Sequence, residues 1–263
     1  MLQNLQITQP HAQPLSPMTA DGDVYALPSD FVDGLSFLRP FIKRRGRDLD
    51  IECRVHLSLG QPIVVTNNLI LEYEVEANDL PDTGFFAETI RLLEAFPTAP
   101  VQVTSSNTHL HFIWSNEQRL RVAKPGSCFS TSAGRRAAEA FGHCWNFEHG
   151  IKIGDETRKI LRGNHGGAKP VDDAFVNGEF FHTHLQDKEG KLSSERVTLF
   201  ECNAGRLMRF DRTAFLDMMK VANEIDFSTS PVCFKHPNGR GLLVERTLGS
   251  FIPDFKGWND DVA

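Results

Sequence analysis

Two histidines two residues apart, in the string His182-Thr183-His184, are the part of this chain best suited to do chemistry. On a β-strand, residues i and i+2 share a face, so both imidazoles can reach one metal ion. Glu195 downstream offers a third, carboxylate ligand, and Glu148, in EHGIKIG after a helix-like stretch, is the candidate general base for a zinc-bound water. That set would make a zinc-dependent hydrolase. Histidine usage elsewhere counts against it, because His56 and the pair His109-Leu110-His111 lie in strand-like stretches without any partner pattern. No GxxxxGK(S/T), GxGxxG or GxSxG string occurs, so nucleotide hydrolysis and serine-hydrolase chemistry have no foothold. Gly163-Asn164-His165-Gly166-Gly167 reads as a loop, since no helix pattern starts after it, and Trp114, Trp145 and Trp258 read as packing residues.

The elements that must hold such residues come in two similar sets. One runs from Thr83 through GFFAETIRLLEAF to PVQV at Pro100; the other runs from Thr213 through AFLDMMKVANEI to PVCF at Pro231, about 130 residues further on. Each reads as an amphipathic helix, a short polar hinge, a Pro-Val strand start and a hairpin. Upstream, Ser29 or Asp30 caps a helix with Phe31, Leu35 and Leu38 on one face, ended near Pro40. DIECRVHL and PIVVTNNLILEYEVEA follow as strands with a bend at Asn67-Asn68. After the first repeated helix (83–96), VQVTSS, LHFIWS and RLRVA predict three antiparallel strands joined at Ser106-Asn107 and Asn116-Glu117. The second half predicts a helix over AGRRAAEAFGHCWNF with Ala138, Phe141 and Trp145 on one side. Next come a strand region through IKIGDETRKILRG, a loop over 163–173, extended segments FVNGEFFHTHL and ERVTLFEC, the repeated helix (211–225) and a hairpin turning at Asn238-Gly239. The expected architecture is α+β: two similar domains, each with helices packed on one face of antiparallel sheet. Lys124-Pro125-Gly126-Ser127 is the expected joint, giving a flexible arm over 1–23, domains over 24–125 and 126–250, and a tail over 251–263.

Composition excludes several classes. With 40% hydrophobic and 24% charged residues, this is the make-up of a globular chain. No run approaches the roughly 18 apolar residues of a spanning helix, and no basic-then-apolar leader is visible, so no membrane association and a cytoplasmic location are expected. The cysteines, Cys53, Cys128, Cys144, Cys202 and Cys233, are odd in number and form no CxxC pair, so they are expected reduced, without a disulfide framework. A net charge of -6 opposes coating by nucleic acid over the whole surface but leaves room for a local basic face.

The order of elements, the duplication and several strings resemble the DNA sliding clamps, the processivity factors of replicative polymerases. TNNLILEYEVEANDLP followed by FFAETIRLLEAFPTAPVQVTSSNTHLHFIWSNEQRLRV resembles the second half of a clamp domain. Asp155-Glu156-Thr157-Arg158, running on to Ile160-Leu161-Arg162-Gly163, is similar to the strand entry after the first helix of a bacterial clamp domain, and Gly249-Ser250-Phe251-Ile252-Pro253-Asp254-Phe255 resembles its closing Gly-Phe-Pro-Asp-Tyr segment. The resemblance covers residues 24 to 255. It implies a ring around duplex DNA with no base reading, no cofactor and no activity of its own, a DNA polymerase and a clamp loader as partners, and a homotrimer, since two domains per chain need three chains for six. The implied phosphate-holding residues are Lys43, Arg44, Arg45 and Arg47 after the first helix, Arg91, Arg135 and Arg136, and Arg212 and Lys220, spread over four inner helices. Pro125, Phe129, Phe251, Pro253 and Phe255 would line a groove for partner peptides near the joint.

The histidine set also looks like the JAB/MPN metalloproteases that cleave ubiquitin-like conjugates. It departs from their pattern at Leu185, where Pro is expected, at Leu192, where Ser falls, and at Glu195, where Asp falls. The resemblance leaves the first half and the duplication unexplained. The clamp is therefore the leading expectation, with a zinc isopeptidase (His182, His184 and Glu195 as ligands, Glu148 as base) as the alternative.

Overall fold

The computed structural model describes residues 23–42, 51–76, 79–125, 127–155, 157–158, 169–178, 180–186, 192–198 and 205–248; side chains are described for these except 127–129, 169–171, 180, 182–186 and 192–198. Strand β3 (Gln61–Val65) shows how the described residues are layered. Val64 joins one core with Leu35 and Leu38 of helix α1 (Phe31–Leu38), while its neighbours Ile63 and Val65 join another with Ala133, Ala137 and Phe141 of helix α3 (Ser127–Cys144). Consecutive strand residues face opposite sides, so a strand apolar on both sides must be covered on both. The same alternation recurs in β4 (Leu69–Tyr73), where Leu69, Leu71 and Tyr73 face the α1 side and Ile70 the α3 side.

Each half repeats one order of elements. The first begins with β1 (Asp23–Ala26), α1, β2 (Val55–Ser58), β3 and β4. It continues with β5 (Thr83–Phe85), α2 (Ala87–Glu94), β6 (Gln102–Ser105), β7 (His109–Ile113) and β8 (Arg119–Ala123). After α3, the second half runs through β9 (Ile151–Lys152), helical residues at 155, 157 and 158, β10 (Lys169–Asn177), β11 (Phe180–Gln186) and β12 (Leu192–Thr198). It ends with β13 (Met208–Asp211), α4 (Arg212–Val221), β14 (Glu224–Asp226), β15 (Val232–His236) and β16 (Gly239–Leu243). The strands form two four-stranded sheets, β1-β6-β7-β8 and β12-β11-β10-β13, and one eight-stranded sheet, β5-β2-β3-β4-β16-β15-β14-β9. The β4–β16 pairing, from Leu69↔Leu243 to Tyr73↔Gly239, joins the halves into that long sheet.

Gly241 permits the join, because its position facing Phe234 across β15 and β16 leaves no room for a side chain. A Cβ there would lie 2.1 Å from Phe234 Cζ and 2.7 Å from the Ile70 carbonyl oxygen. The main core fills the space between sheets and helices α1, α2 and α4, with Phe31, Phe85, Phe112, Phe210, Phe215 and Phe234 all fully buried. Trp114 is buried there too, stacked on Phe96 at 4.0 Å, and its indole N–H donates to the Thr98 carbonyl at 2.6 Å. An indole buried with its donor satisfied is a packing residue, as expected.

The mixed α+β architecture agrees with the sequence. So do α1, the β3–β4 bend, the three strands β6 to β8 and the β15–β16 hairpin. Five features differ. Helix α2 starts at Ala87, because Thr83–Phe85 pairs with β2 as an edge strand. Helix α4 ends at Val221, and Glu224–Asp226 pairs with β9 and β15. The predicted strand entry after Ile151–Lys152 is helical at 155, 157 and 158, and the predicted loop over 163–173 gives way to β10 from Lys169. Finally, α3 does not share a face with the other helices but covers the opposite face of the long sheet, which the one-sided layering expected from the sequence had left open.

Candidate partner groove and nucleic-acid face

Helix α3 is amphipathic, with buried Ala133, Ala137 and Phe141 at helical spacing, and it lies close to the sheet because its contact side is small. At Gly134 a Cβ would stand 1.9 Å from Ser58 Oγ, so glycine sets the helix-to-strand distance. One polar latch fixes the register: His56 on β2 and Ser130 on α3, both fully buried, approach at 3.1 Å between Nδ1 and Oγ, and His56 Nε2 lies 2.8 Å from the Ile51 carbonyl. A ring nitrogen facing a carbonyl must donate, so Nε2 carries the proton and Nδ1 accepts from the serine hydroxyl. Burial, reinforced by the Arg54 charge and only partly opposed by the Ile51 bond, lowers the His56 pKa to about 4, so the ring is neutral.

Two adjoining clefts of about 600 and about 420 Å³ run along α3 over the β4–β16 join, and both are lined by Gln61, Glu72 and Arg240. Arg240 and Glu72 are direct cross-strand partners and form an ion pair at 2.8 Å. The Arg240 guanidinium also lies 4.4 Å from the Phe141 ring centroid and 5.4 Å from that of Trp145, so aromatic faces hold its plane while its edge stays accessible. The wall of the smaller cleft is Gly134, Ala137, Ala138, Phe141 and Gly142, its floor includes Ile63, and its far rim is the β2–β3 turn. On that rim Leu59 is 84% exposed and sits at φ +50. An exposed leucine in a left-handed turn is an unusual placement for an apolar side chain. Below the larger cleft, His236 donates from Nε2 to the Glu72 carbonyl at 2.9 Å and stacks on Phe37 at 4.8 Å, and burial keeps its pKa below the ordinary histidine value. Apolar walls beside an aromatic-backed guanidinium suit a short peptide that brings one apolar side chain and one carboxylate or carbonyl.

The opposite side of the long sheet carries α1, α2 and α4. On it Arg91 is exposed between Glu88 and Glu94, Lys220 is exposed and pairs with Asp217, and Arg212 is half-buried at the start of α4. Arg135 and Arg136 are also exposed, Arg135 beside Glu139 at 3.9 Å, but α3 places them on the groove side. The expected sharing of one face by all these cations is thereby corrected. Lys43, Arg44, Arg45 and Arg47 lie outside the described residues, as do Phe251, Pro253 and Phe255. Pro125 is half-buried between β8 and α3, and Phe129 falls in the first turn of α3, its side chain outside the description. Arg240, Glu72 and Leu59 were not picked out from sequence; of the groove residues Ala138, Phe141 and Trp145 were, by their helical spacing.

For the histidine pair, the β11–β12 register sets His182 opposite Arg196 and Thr183 opposite Glu195. Directly paired residues share a face and successive ones alternate, so Glu195 lies on the other face of the sheet from His182 and His184. Glu148 precedes β9 of the long sheet, whereas β11 belongs to the sheet β12-β11-β10-β13. Its backbone N–H, with that of His149, donates to the buried Asp226 carboxylate at 2.9 and 2.8 Å. Burial raises the Asp226 pKa, but the hydrogen bonds from Ser228, His149 and Glu148 outweigh it and hold the carboxyl below its ordinary value. The described residues thus do not bring the four expected zinc-site residues together.

No protein-family model matches the sequence, and no curated protein matches it. Solved structures do match in fold. A Bartonella birtlesii DnaN sliding clamp, DNA polymerase III subunit beta, bound to griselimycin, superposes with a TM-score of 0.62 over 90% of this chain and 70% of its own, at 10% identity. Caulobacter crescentus pol III beta gives 0.60 over 90% and 69%, at 13% identity. A Helicobacter pylori beta clamp bound to a DNA ligase peptide gives 0.58 over 89% and 68%, at 9% identity. The fold is that of the sliding clamps.

Proposed function

We propose that copies of this chain pair head to tail into a ring that encircles duplex DNA without reading sequence and tethers a DNA polymerase or another DNA enzyme. The observation that carries this is the β4–β16 join. Strand β4 closes the first run of three strands in its half, and β16 closes the last run in the other. The counterparts of these two strands are β12 and β8, both edge strands of their sheets. Pairing β8 of one copy with β12 of the next repeats between chains the junction that already exists within one. Repetition of one heterologous contact closes into a ring when its rotation divides a full turn. Three copies supply the six domains implied by the resemblance.

In that ring α1, α2 and α4 face the DNA, and Arg91 and Lys220, with Lys43, Arg44, Arg45 and Arg47, hold phosphates loosely. The α3 groove faces outward and takes the partner peptide; that a protein of this fold was solved with a DNA ligase peptide bound supports peptide binding in general. The chain contributes no catalytic group; it keeps an enzyme near its template.

Light scattering on the purified protein should give about three times the 29.5 kDa chain mass. Loaded protein should stay on a circular duplex through a high-salt wash and leave when the circle is cut. Loss from circle and linear duplex alike would overturn the ring.

A further inference from the structure

The strands β7 and β8 gather four basic side chains on one face. His109 and His111 alternate along β7, Arg119 and Arg121 along β8, and the register sets His111 opposite Arg121 and Ile113 opposite Arg119. The other side of these strands carries Leu110, Phe112 and Val122, all buried in the main core, so the four bases look away from it. The neighbouring strands complete the face without a carboxylate: β6 adds Gln102 and Thr104, and β1 adds Val24 and Ala26 by its pairing Val24↔Thr104 and Ala26↔Gln102. Asp23 and Tyr25 alternate to the core side. The nearest acid along the chain is Glu117, in the β7–β8 turn.

We propose that this outer face of β7 and β8 is a docking surface for an acidic, extended polypeptide segment. It is formed within one chain and does not depend on ring closure. Arg119 and Arg121 are both exposed and two residues apart on a strand, a spacing of roughly 6.7 Å. An extended peptide repeats its side chains on one face at that same interval, so carboxylates at alternate positions meet both guanidinium groups. Charge complementarity selects the partner: the whole chain carries -6, so an acidic segment gains no net attraction to the chain as a whole and is attracted at this local basic face. A nucleic-acid strand fits less well, because Trp114 is buried and Tyr25 packs against the core, leaving bases only the two imidazole rings and no larger aromatic platform.

The histidines tune the attraction. Arg121 Nη2 lies 3.1 Å from His109 Nδ1, and the Thr108 hydroxyl lies 2.7 Å from the same nitrogen. A guanidinium can only donate, so Nδ1 of His109 accepts from Arg121 in this arrangement. Partial burial, then the charges of Arg121, His109 and Arg119, hold the His111 pKa below the ordinary histidine value. A bound carboxylate reverses that balance, so binding takes up protons and strengthens as pH falls.

The test uses a short fluorescein-labelled peptide of alternating Asp and Ser, its Asn/Ser counterpart and a labelled oligothymidylate, each titrated with the full chain at low salt. The Asp peptide should bind and the Asn peptide should not, with affinity rising between about pH 8 and about pH 5.5. Arg119→Ser with Arg121→Ser should weaken Asp-peptide binding about tenfold or more while leaving the circular dichroism spectrum unchanged. Both positions are exposed, so the variant should fold; Arg121→Lys, which keeps the charge, should retain most of the binding. Absence of Asp-peptide binding, equal binding by the double variant, or binding of oligothymidylate in preference to the peptide would each overturn the proposal.

Discussion

Protonating His56 should loosen α3 from the long sheet and cost stability on a schedule fixed by its burial. The folded pKa of about 4 lies below the unfolded histidine value of about 6.5, so the unfolded chain binds the extra proton more readily. The stabilising contribution is therefore complete above about pH 6.5, is lost progressively as pH falls, and stops changing below about pH 4. Between pH 7 and pH 5 the linkage relation gives a loss of about 2 kcal/mol from this one ring. Urea titrations at the two pH values, followed by tryptophan fluorescence with Trp145 at the end of α3 as one reporter, measure it. His56→Gln keeps a neutral polar group near Ser130 and should start less stable. Its further loss between pH 7 and pH 5 should be smaller than the wild-type loss by about the same 2 kcal/mol. His236, His111 and Asp226 titrate in both proteins and largely cancel in the difference. If both proteins lose equal stability over that interval, His56 is not a neutral, buried latch and the account of how α3 is held is refuted.

The charged faces separate in a second experiment. Arg91→Ala with Lys220→Ala should weaken association with circular duplex and reduce the slope of log affinity against log salt by about 2, whereas Arg135→Ala with Arg136→Ala should leave the slope unchanged. Gly241→Ala should destabilise the chain by about 1–3 kcal/mol in urea unfolding, because the added carbon meets the Ile70 carbonyl as well as the Phe234 ring. Leu59→Ser and Arg240→Ala should each lower affinity for an apolar-acidic partner peptide about tenfold or more by fluorescence anisotropy. Leu59→Ser should leave the unfolding free energy within about 0.5 kcal/mol of wild type, since the side chain is exposed.

Period and turn chemistry alone determined the duplicated helix-and-hairpin units, the strands β6 to β8 and the α+β class. Val103, Leu110 and Phe112 alternate with polar neighbours in strands that are polar on one side, and Asn67-Asn68 and Asn238-Gly239 mark sharp reversals. These are local signals, carried within a few residues. The edge strand Thr83–Phe85 was not legible, because the three residues before α2 also fit a helix, and only β2 across the sheet makes them extended. Tertiary structure alone decided which side of the sheet each helix covers. The amphipathic pattern of α3 says that Ala133, Ala137 and Phe141 are buried, but not against what; Ile63, Val65 and Ile70, the outward residues of strands apolar on both faces, supply the surface. That placement moves Arg135 and Arg136 away from the α1 side and creates the groove where Arg240, Glu72, Phe141 and Trp145 meet. Those four come from β4, β16 and the C-terminal end of α3, so beyond the helical step from Phe141 to Trp145 no spacing in the chain encodes their meeting. The strand register likewise sets Glu195 on the other face from His182 and His184. A pairing one residue over would have set all three together, and a sequence carries no direct record of which residue lies across the sheet.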